Sequence, residues 1–151
     1  MRRKDKEITD TAFLEEILSK AMVCRLGLCE GNQPYVVPLC FGYKDNALYF
    51  HCAEQGKKLD ILRKNGNVCF EVDIDQQVLK ADQPCNWGIK YKSVIGFGKA
   101  VFIKDAELKA KALDIIMQQF SKGTFEISEE AIKNTAVVKI KIESMTGKKS
   151  G

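Results

Sequence analysis

The chain has 151 residues, of which 45% are hydrophobic and 29% are charged, and its formal net charge is +4. This mixture excludes a disordered or fibrous protein, and the length suits a single domain over residues 1–151 with its own core. The small positive charge is spread along the sequence, which argues against a nucleic-acid-binding protein.

The N-terminal segment MRRKDKEITD is charged and lacks the apolar stretch of a secretory signal. No later segment reaches the ~18 apolar residues that a membrane span requires. The six cysteines show no C-x-x-C spacing and fall mostly in apolar strand patterns. They are therefore predicted to be reduced thiols packed as small hydrophobic residues, with no metal site, in a cytoplasmic protein without membrane contact.

The first third of the chain predicts one amphipathic helix followed by three strands. Asp10 or Thr11 can cap the helix, whose apolar positions recur at helical spacing: Leu14, Ile17, Leu18 and Ala21. The segments MVCRLGLC, PYVVPLCFGY and ALYFHC then read as strands joined by turns at Gly31-Asn32 and Asp45-Asn46. We expect these strands to form a meander. The middle strand is apolar on both faces and is expected to be covered on both sides.

Two prolines occur in that middle strand, and proline cannot donate to a β ladder. Pro34 can begin the strand. Pro38 lies inside it, which predicts an irregularity where something other than a neighbouring strand faces the backbone. The backbone at Pro38 could face a ligand, or the strand could be a plain edge strand. The residues alone leave both interpretations open.

The middle of the chain predicts a short helix from about Gln55 to Lys64, ended by Asn65-Gly66. An alternating strand follows, with Val68, Phe70, Val72 and Ile74 on one face. The segment QQVLKADQPCNWGIK breaks this alternation and is predicted to be a loop. The next strand, YKSVIGFGKAVFI, contains Gly96 and Gly98, for which a bulge or a close subunit contact is expected. A dinucleotide fingerprint is excluded because these glycines are not in a strand-to-helix turn.

The last third predicts two helices and a final strand. Asp105 caps the first helix, whose inner face is expected to carry Leu108, Ala112, Ile115, Ile116 and Phe120. Ser128 begins a short second helix, and AVVKIKIE reads as the last strand. The basic ends MRRKDK and TGKKSG are predicted to be solvated tails. About six antiparallel strands with helices inserted between them predict a mainly β protein that closes into a small barrel.

The only histidine, His51, ends an apolar strand and is followed closely by Gly56, Lys57 and Lys58 at a helix start. A helix start offers free backbone N–H groups and the positive end of the helix dipole, so it suits a phosphate. The lysines add two cations, and the glycine lets the backbone come close. On these residues alone, a solvated basic helix face and a structural histidine stay open as alternatives.

The segments RRKDKEI, PYVVPLCFGY, LYFHCAEQGKKLDIL, VCFEV and YKSVIGFGKA resemble, in order and spacing, a group of flavin proteins. This is the nitroimidazole-resistance (Nim) group within the pyridoxamine 5′-phosphate oxidase-like split barrels, and the resemblance runs from Arg2 to about Ile142. It implies an antiparallel split β-barrel that forms a homodimer. It also implies FMN bound between the subunits, with two sites per dimer.

The resemblance further implies which residues of this chain would contact FMN. Along the isoalloxazine edge would lie Val37, Pro38 and Leu39. Beside the ring and the ribityl chain would pass Tyr49, Phe50 and His51. The phosphate would be held by Lys57 and Lys58. The partner subunit would close the pocket with Trp87, Lys92 and Ser93.

The activity implied by the resemblance is that of an FMN-dependent oxidoreductase acting on small electron-poor substrates such as nitroaromatics. His51 would orient the substrate or supply a proton, since imidazole titrates near neutral pH. One alternative is a dimer that binds flavin or haem for storage or sensing without catalysis. Another is pyridoxamine phosphate oxidation, but the arginines expected for the substrate phosphate are hard to find among the four present: Arg2, Arg3, Arg25 and Arg63.

Overall fold

The computed structural model describes residues 4–151, so the predictions made for Arg2 and Arg3 lie outside the described residues. Within this range the chain forms eight strands and four α-helices, which in chain order are β1 (Glu7–Ile8), α1 (Thr11–Lys20), β2 (Cys24–Glu30), β3 (Gln33–Leu39), β4 (Gly42–Lys44), β5 (Ala47–Cys52), α2 (Lys57–Lys64), β6 (Asn67–Leu79), β7 (Gly88–Ile103), α3 (Ala106–Phe120), α4 (Glu129–Lys133) and β8 (Ala136–Ser150). Two short 3₁₀ turns also occur, at Lys4–Lys6 and Pro84–Asn86. None of the helices in this range is long and apolar enough to cross a bilayer.

All strands belong to one antiparallel sheet with the order β3-β2-β6-β7-β8-β5-β4, and β1 pairs with β8. The predicted antiparallel β fold with flanking helices is confirmed. The strand count is eight instead of about six because β1 and β4 are only two and three residues long. The sheet is open, since no ladder joins its two ends among the described residues.

The predicted meander of three strands is confirmed in its two hairpin pairings, β2 with β3 and β4 with β5, but its middle strand is split in two. The strand β3 pairs only with β2, whereas β5 pairs with β4 and β8, so β3 and β5 lie toward opposite ends of the sheet path. The segment PYVVPLCFGY is divided at Cys40-Phe41 between β3 and β4. Asp45 and Asn46 have φ values of 50° and 54°, which confirms the tight turn before β5.

The edge position of β3 explains its prolines. The β2–β3 ladder runs without a register shift, so the irregularity predicted at Pro38 is absent. Pro34 and Pro38 have the same parity along an edge strand, where alternate N–H groups point away from the neighbour and need no partner there. Of the two faces, only one packs on the core: Leu39 is buried, whereas Val36 is 62% exposed. The expected cover on both faces is therefore missing in this chain.

The strands β6 and β7 continue as a hairpin beyond the body of the sheet. The predicted loop QQVLKADQPCNWGIK is wrong at both of its ends, because Gln77 pairs with Lys90 and Val78 pairs with Ile89. A register shift after Ile74 interrupts the alternation that the sequence pattern relied on. The connection shrinks to residues 80–87. We call the exposed segment 75–90 the β6–β7 arm.

The last strand is also longer than predicted. The expected tail TGKKSG is wrong, because β8 continues to Ser150 and pairs with both β7 and β1. A bulge lies between Phe97 and Gly98, as the glycine pattern predicted. A side chain at Gly96 would overlap the ring of Phe70, and one at Gly98 would overlap the Lys141 carbonyl. Both glycines are therefore required by close packing.

Two apolar clusters lie on opposite faces of the sheet. The larger one packs α1 and α2 against Leu26, Phe70 and Ile140. The smaller one packs α3 against Tyr49 and Val137. The inner face of α3 differs from the prediction, since Leu113 is buried there while Leu108 and Phe120 are exposed.

All six cysteines are free thiols, and their burial differs from the prediction. Only Cys24 is fully buried, whereas Cys40 and Cys85 are exposed. Cys40 lies in the break between β3 and β4, and Cys85 lies at the tip of the β6–β7 arm.

The predicted boundaries of α2 need a small correction. The helix begins at Lys57 rather than near Gln55, because Gly56 is its N-cap with φ of 139°. Its last residue is Lys64, as predicted. The C-cap Asn65 is extended, so the helix ends without the left-handed glycine turn that Asn65-Gly66 indicated.

Candidate functional site

The start of α2 presents backbone donors. The N–H groups of Leu59 and Asp60 donate to the Gly56 carbonyl over 2.9 and 3.2 Å and open the helical ladder. The amides of Lys57 and Lys58 precede that ladder, and no side chain caps this end of the helix. A Cβ placed on Gly56 would meet nothing within 4 Å. The helix start is therefore open and can receive an anion.

The two lysines at this start reach toward different strands. The Lys57 ammonium lies 4.9 Å from the ring centre of Tyr35 on β3, and the Lys58 ammonium lies 5.5 Å from that of Phe50 on β5. β3 is one end of the sheet path and β5 is next to its other end, so the start of α2 contacts strands from both ends of the sheet. The arrangement combines two cations, two aromatic rings and open amides in one place.

Charge compensation differs between the two ends of α2. At the C-terminal end, Arg63 pairs with Asp60 at 3.0 Å and Lys64 pairs with Glu30 at 2.9 Å. At the N-terminal end, neither lysine forms an ion pair with any of residues 4–151. The start of α2 thus carries uncompensated positive charge, which favours an anionic ligand.

The positive charges of Lys57 and Lys58 affect the pKa values of nearby ionisable groups. Burial raises the pKa of the Cys52 thiol, and Lys58 and Arg63 oppose that rise. The pKa of Glu30 lies below its ordinary value, chiefly because of its hydrogen bond and charge pair with Lys64, with a smaller effect of Lys57. Cys52 ends β5 on the side of Lys58 at the start of α2, whereas Glu30 ends β2 beside Lys64 at the other end of the helix.

The residues proposed to line a flavin from β5 lie on two faces of the sheet. Phe50 is fully buried in the larger cluster, on the side of α2. Tyr49 is buried under α3 on the other side. His51 is exposed and has the parity of Tyr49, two residues further along the strand. The structure therefore places Phe50 beside Lys58. The side chains of Tyr49 and His51 project from the opposite face of the sheet.

The residues proposed from β3 lie along its free edge. Val37 is half-buried and Leu39 is buried, both on the core side with Tyr35. Pro38 is exposed on the opposite face. Between the prolines, Val36 shares their parity, so its N–H and C=O groups point away from β2 and can contact a ligand at the edge.

The three residues expected from a partner subunit lie apart from α2 in this chain. Lys92 donates to Asp75 at 2.8 Å and lies over the ring of Phe13, on the side of α1. Trp87 is 48% exposed on the β6–β7 arm, where its Nε1 donates to the Ala81 carbonyl at 2.8 Å. Ser93 is the buried member, at 8% exposure.

Sequence reasoning missed one residue of this site. Tyr35 lies under the Lys57 ammonium. The sequence pattern predicted it to be a strand residue and indicated no role for it in the site. Its alternation with Val37 and Leu39 placed it on the inner face. The contact itself depends on how α2 folds back over the sheet edge, which the sequence pattern does not encode.

Several solved structures share this fold. A proposed 5-nitroimidazole antibiotic resistance protein from Bacteroides thetaiotaomicron is 36% identical, with a TM-score of 0.85 over 94% of this chain and 85% of that one. An FAD-binding protein from Mesorhizobium loti is 25% identical, with a TM-score of 0.73 over 97% and 98% of the two chains. A flavocytochrome from Azotobacter vinelandii is 21% identical, with a TM-score of 0.87 over 100% and 72%, and this likeness concerns the fold.

Comparisons of sequence give two further matches. An uncharacterised protein from Rhizobium meliloti is 30% identical over 56 residues, a match that spans 37% of this chain and 36% of that relative. The family model described as pyridoxamine 5′-phosphate oxidase matches residues 10–149. The chain therefore belongs to the pyridoxamine 5′-phosphate oxidase-like family and has its flavin-binding split-barrel fold.

Proposed function

We propose that this protein is an FMN-dependent reductase of small electron-poor substrates, with nitroaromatics such as 5-nitroimidazoles as the substrate class. The observation that carries the proposal is the uncompensated pair Lys57 and Lys58 at the open start of α2. The 36% identity to the resistance protein from Bacteroides thetaiotaomicron supports the substrate class.

The phosphate of FMN fits the start of α2 in charge and in geometry. A phosphate monoester carries close to two negative charges at neutral pH, which two ammonium groups can match. The open amides at the helix start add directional donors, and Gly56 leaves the approach free. FMN is a mononucleotide with one phosphate, which matches the one anion position at this helix start. The site therefore fits FMN and does not require a second nucleotide.

The remainder of FMN would extend along the free edge of β3. Val36, Val37 and Pro38 offer backbone and apolar contacts there, and the buried ring of Phe50 supports Lys58 from the inner side. The isoalloxazine ring is planar and largely apolar, so an edge strand with few free donors suits it. His51 and Trp87 are exposed and remain available to the outer side of the cofactor.

A homodimer with FMN between its subunits is part of the proposal. An apolar row crosses the outer face of four strands, and its members pair in register: Val36, Gly27, Cys69 and Phe97. Ile95 lies beside this row and is 45% exposed. An exposed apolar face of this kind is typical of a surface that a second copy covers. That copy would bring Trp87, Lys92 and Ser93 to the site.

Bound FMN would supply the redox chemistry, passing hydride equivalents from a donor to the substrate. The protein would hold the cofactor through Lys57 and Lys58 and keep its ring at the subunit contact. His51 would orient the substrate or donate a proton from its imidazole as negative charge develops. No step requires a metal ion.

The decisive test is anaerobic mixing of the purified yellow protein with NADH or NADPH, followed by addition of a 5-nitroimidazole. Bleaching of the flavin absorbance and its recovery on adding the nitro compound are expected from a reductase. A colour that persists with both donors would instead favour the alternative, a dimer that binds flavin or haem for storage or sensing.

The cofactor site can be tested independently of turnover. The double substitution Lys57→Ala/Lys58→Ala is expected to weaken FMN binding by about 100-fold or more, because two charge-assisted contacts of ~1.5–3 kcal/mol each are lost. Lys64→Ala is the matched control, since it removes a cation from the other end of the same helix. Equal FMN affinity in both variants, measured by titration calorimetry, would contradict the phosphate site.

A further inference from the structure

A cavity lies under α3, on the sheet face opposite the larger apolar cluster, apart from the start of α2. Its volume is about 900 Å³. It is a partly open cleft lined by α3, by the segment 121–128, by Lys44 and Asp45, and by the outer faces of β5, β7 and β8. This volume falls in the range of ~300–1,000 Å³ that is typical of small-molecule sites. None of the residues proposed to hold FMN phosphate lines it.

The floor of the cavity is one registered row of the sheet. Tyr49 of β5 pairs with Lys139 of β8, which in turn pairs with Val101 of β7. The Lys139 ammonium lies 5.5 Å from the centre of the Tyr49 ring. The walls are mainly apolar and include Leu108 of α3 and Phe125 of the following segment. The result is a cleft in which apolar side chains alternate with charged ones, and Lys139 belongs to its floor.

The charges around this cleft are unevenly compensated. Asp105 is used as the N-cap of α3, where it accepts from the Leu108 amide at 2.9 Å. Asp114 accepts from Gln118. Lys139 forms no ion pair with any of the described residues 4–151, in contrast to Lys111 at the rim, which pairs with Glu107 at 2.6 Å. Lys44, Asp45 and Lys104 also line the cleft without an ion pair among the described residues, and Lys139 differs from them by its place on the floor beside the Tyr49 ring.

We propose that this cleft is a binding site for a small amphiphilic acid, with an aromatic or acyl body against the apolar walls and an anionic group on Lys139. The body would displace water from Val101, Leu108 and Phe125. The anionic group would receive a charge-assisted hydrogen bond from Lys139. Tyr49 faces this cleft, whereas Phe50, the next residue of β5, faces the other side of the sheet toward Lys58, so the cleft and the proposed phosphate site lie on opposite faces.

The test uses two fluorescent probes that share an N-phenyl-naphthylamine body and differ in charge. The anionic probe is 8-anilinonaphthalene-1-sulfonate, and the neutral probe is N-phenyl-1-naphthylamine. Lys139→Gln is expected to weaken the anionic probe about tenfold and to leave the neutral probe unchanged, because only the charged contact is removed. Leu108→Asp is expected to weaken the binding of both probes, since it places a negatively charged side chain in the wall of the cleft.

Lys141→Gln is the matched control. Lys141 is an exposed lysine two residues further along β8 with the same parity as Lys139, and it does not line the cavity. Equal loss of the anionic probe in both lysine variants would overturn the proposal, as would displacement of the probe by stoichiometric FMN. Anionic-probe binding that survives saturation with FMN and depends on Lys139 alone would support it. FMN affinity, measured in the same samples, tests the flavin site separately.

Discussion

At the scale of single residues, His51 is the side chain on which the proposed chemistry depends most. It is exposed at the end of β5, so its removal leaves the core intact. His51→Ala is expected to keep the FMN absorbance and to lower the turnover number by about 100-fold, the usual contribution of a positioned acid or base. Steady-state reduction of a nitroimidazole by protein with equal flavin content measures this effect.

His51→Gln separates the two roles proposed for this side chain. Glutamine retains hydrogen bonding but cannot transfer a proton near neutral pH. Recovery of turnover in this variant would indicate orientation, whereas turnover as low as in the alanine variant would indicate proton transfer. Unchanged turnover in both variants would remove the role of His51 altogether.

The six thiols provide a second residue-scale prediction. Burial raises the pKa of Cys24 to about 12, so almost none of it is thiolate at pH 8. We expect N-ethylmaleimide at pH 8 to label the exposed Cys40 and Cys85 within minutes while Cys24 stays unmodified until the protein is unfolded. Mass spectrometry of tryptic peptides gives the order. Labelling of Cys24 as fast as Cys85 in native protein would contradict its burial.

At the scale of elements, Gln119 joins α3 to the end of α1. Its Nε2 donates to the carbonyls of Leu18 and Ala21 at 2.8 and 2.9 Å, and its Oε1 accepts from the Tyr43 amide at 3.2 Å. One side chain therefore satisfies free carbonyls at a helix C-terminus and the backbone of a short strand. These contacts link three elements that are distant in sequence.

Gln119→Ala is expected to lower the free energy of unfolding by about 1–3 kcal/mol, because partly buried backbone groups lose their partners. Gln118→Ala is the matched control. Its side chain is exposed, and its loss is expected to cost less than ~0.5 kcal/mol. Urea denaturation followed by circular dichroism measures both values. A stability loss of equal size in the two variants would show that the link between the helices contributes little.

At the scale of the whole molecule, the outer sheet face determines the expected assembly. Phe97 is 55% exposed at one end of the row that also contains Val36 and Cys69. Phe97→Glu is expected to convert a dimer into a monomer, because it places a charge in a surface that must lose water on association. Sedimentation equilibrium measures the mass, and FMN binding should weaken in parallel.

Leu108→Glu is the control for this prediction, since Leu108 is 53% exposed but lies on α3, away from that row. It should remain dimeric. A wild-type protein that is monomeric at micromolar concentration would contradict the proposed homodimer, and dimers in both variants would place the contact elsewhere on the surface.

Local sequence patterns predicted the elements well where one face is buried. The spacing of Leu14, Ile17 and Leu18 predicted α1, and Asp10 caps it as expected through a 2.8 Å bond to the Phe13 amide. Gly56, Lys57 and Lys58 predicted a helix start, and α2 begins at Lys57. These features depend on residues near each other in sequence, so their signal is local.

Patterns failed where an element has no buried face. The arm residues Val78 and Ile89 are exposed, so nothing imposed a regular alternation on them, and the bulge after Ile74 shifted its phase. The end of β8 was missed because its residues are mostly polar or small, although Met145 packs against the larger cluster and Gly147 pairs with Val94.

By itself, the sequence determined the antiparallel β class, the capped helices and the pair of lysines at the start of α2. Only the tertiary structure decided that β3 and β5 lie toward opposite ends of the sheet path, with the start of α2 in contact with both. The tertiary structure also decided which clusters the side chains of Tyr49 and Phe50 join on the two opposite faces of the sheet. The reason is that strand order depends on contacts distant in sequence, whereas periodicity and capping depend on neighbours within a few residues.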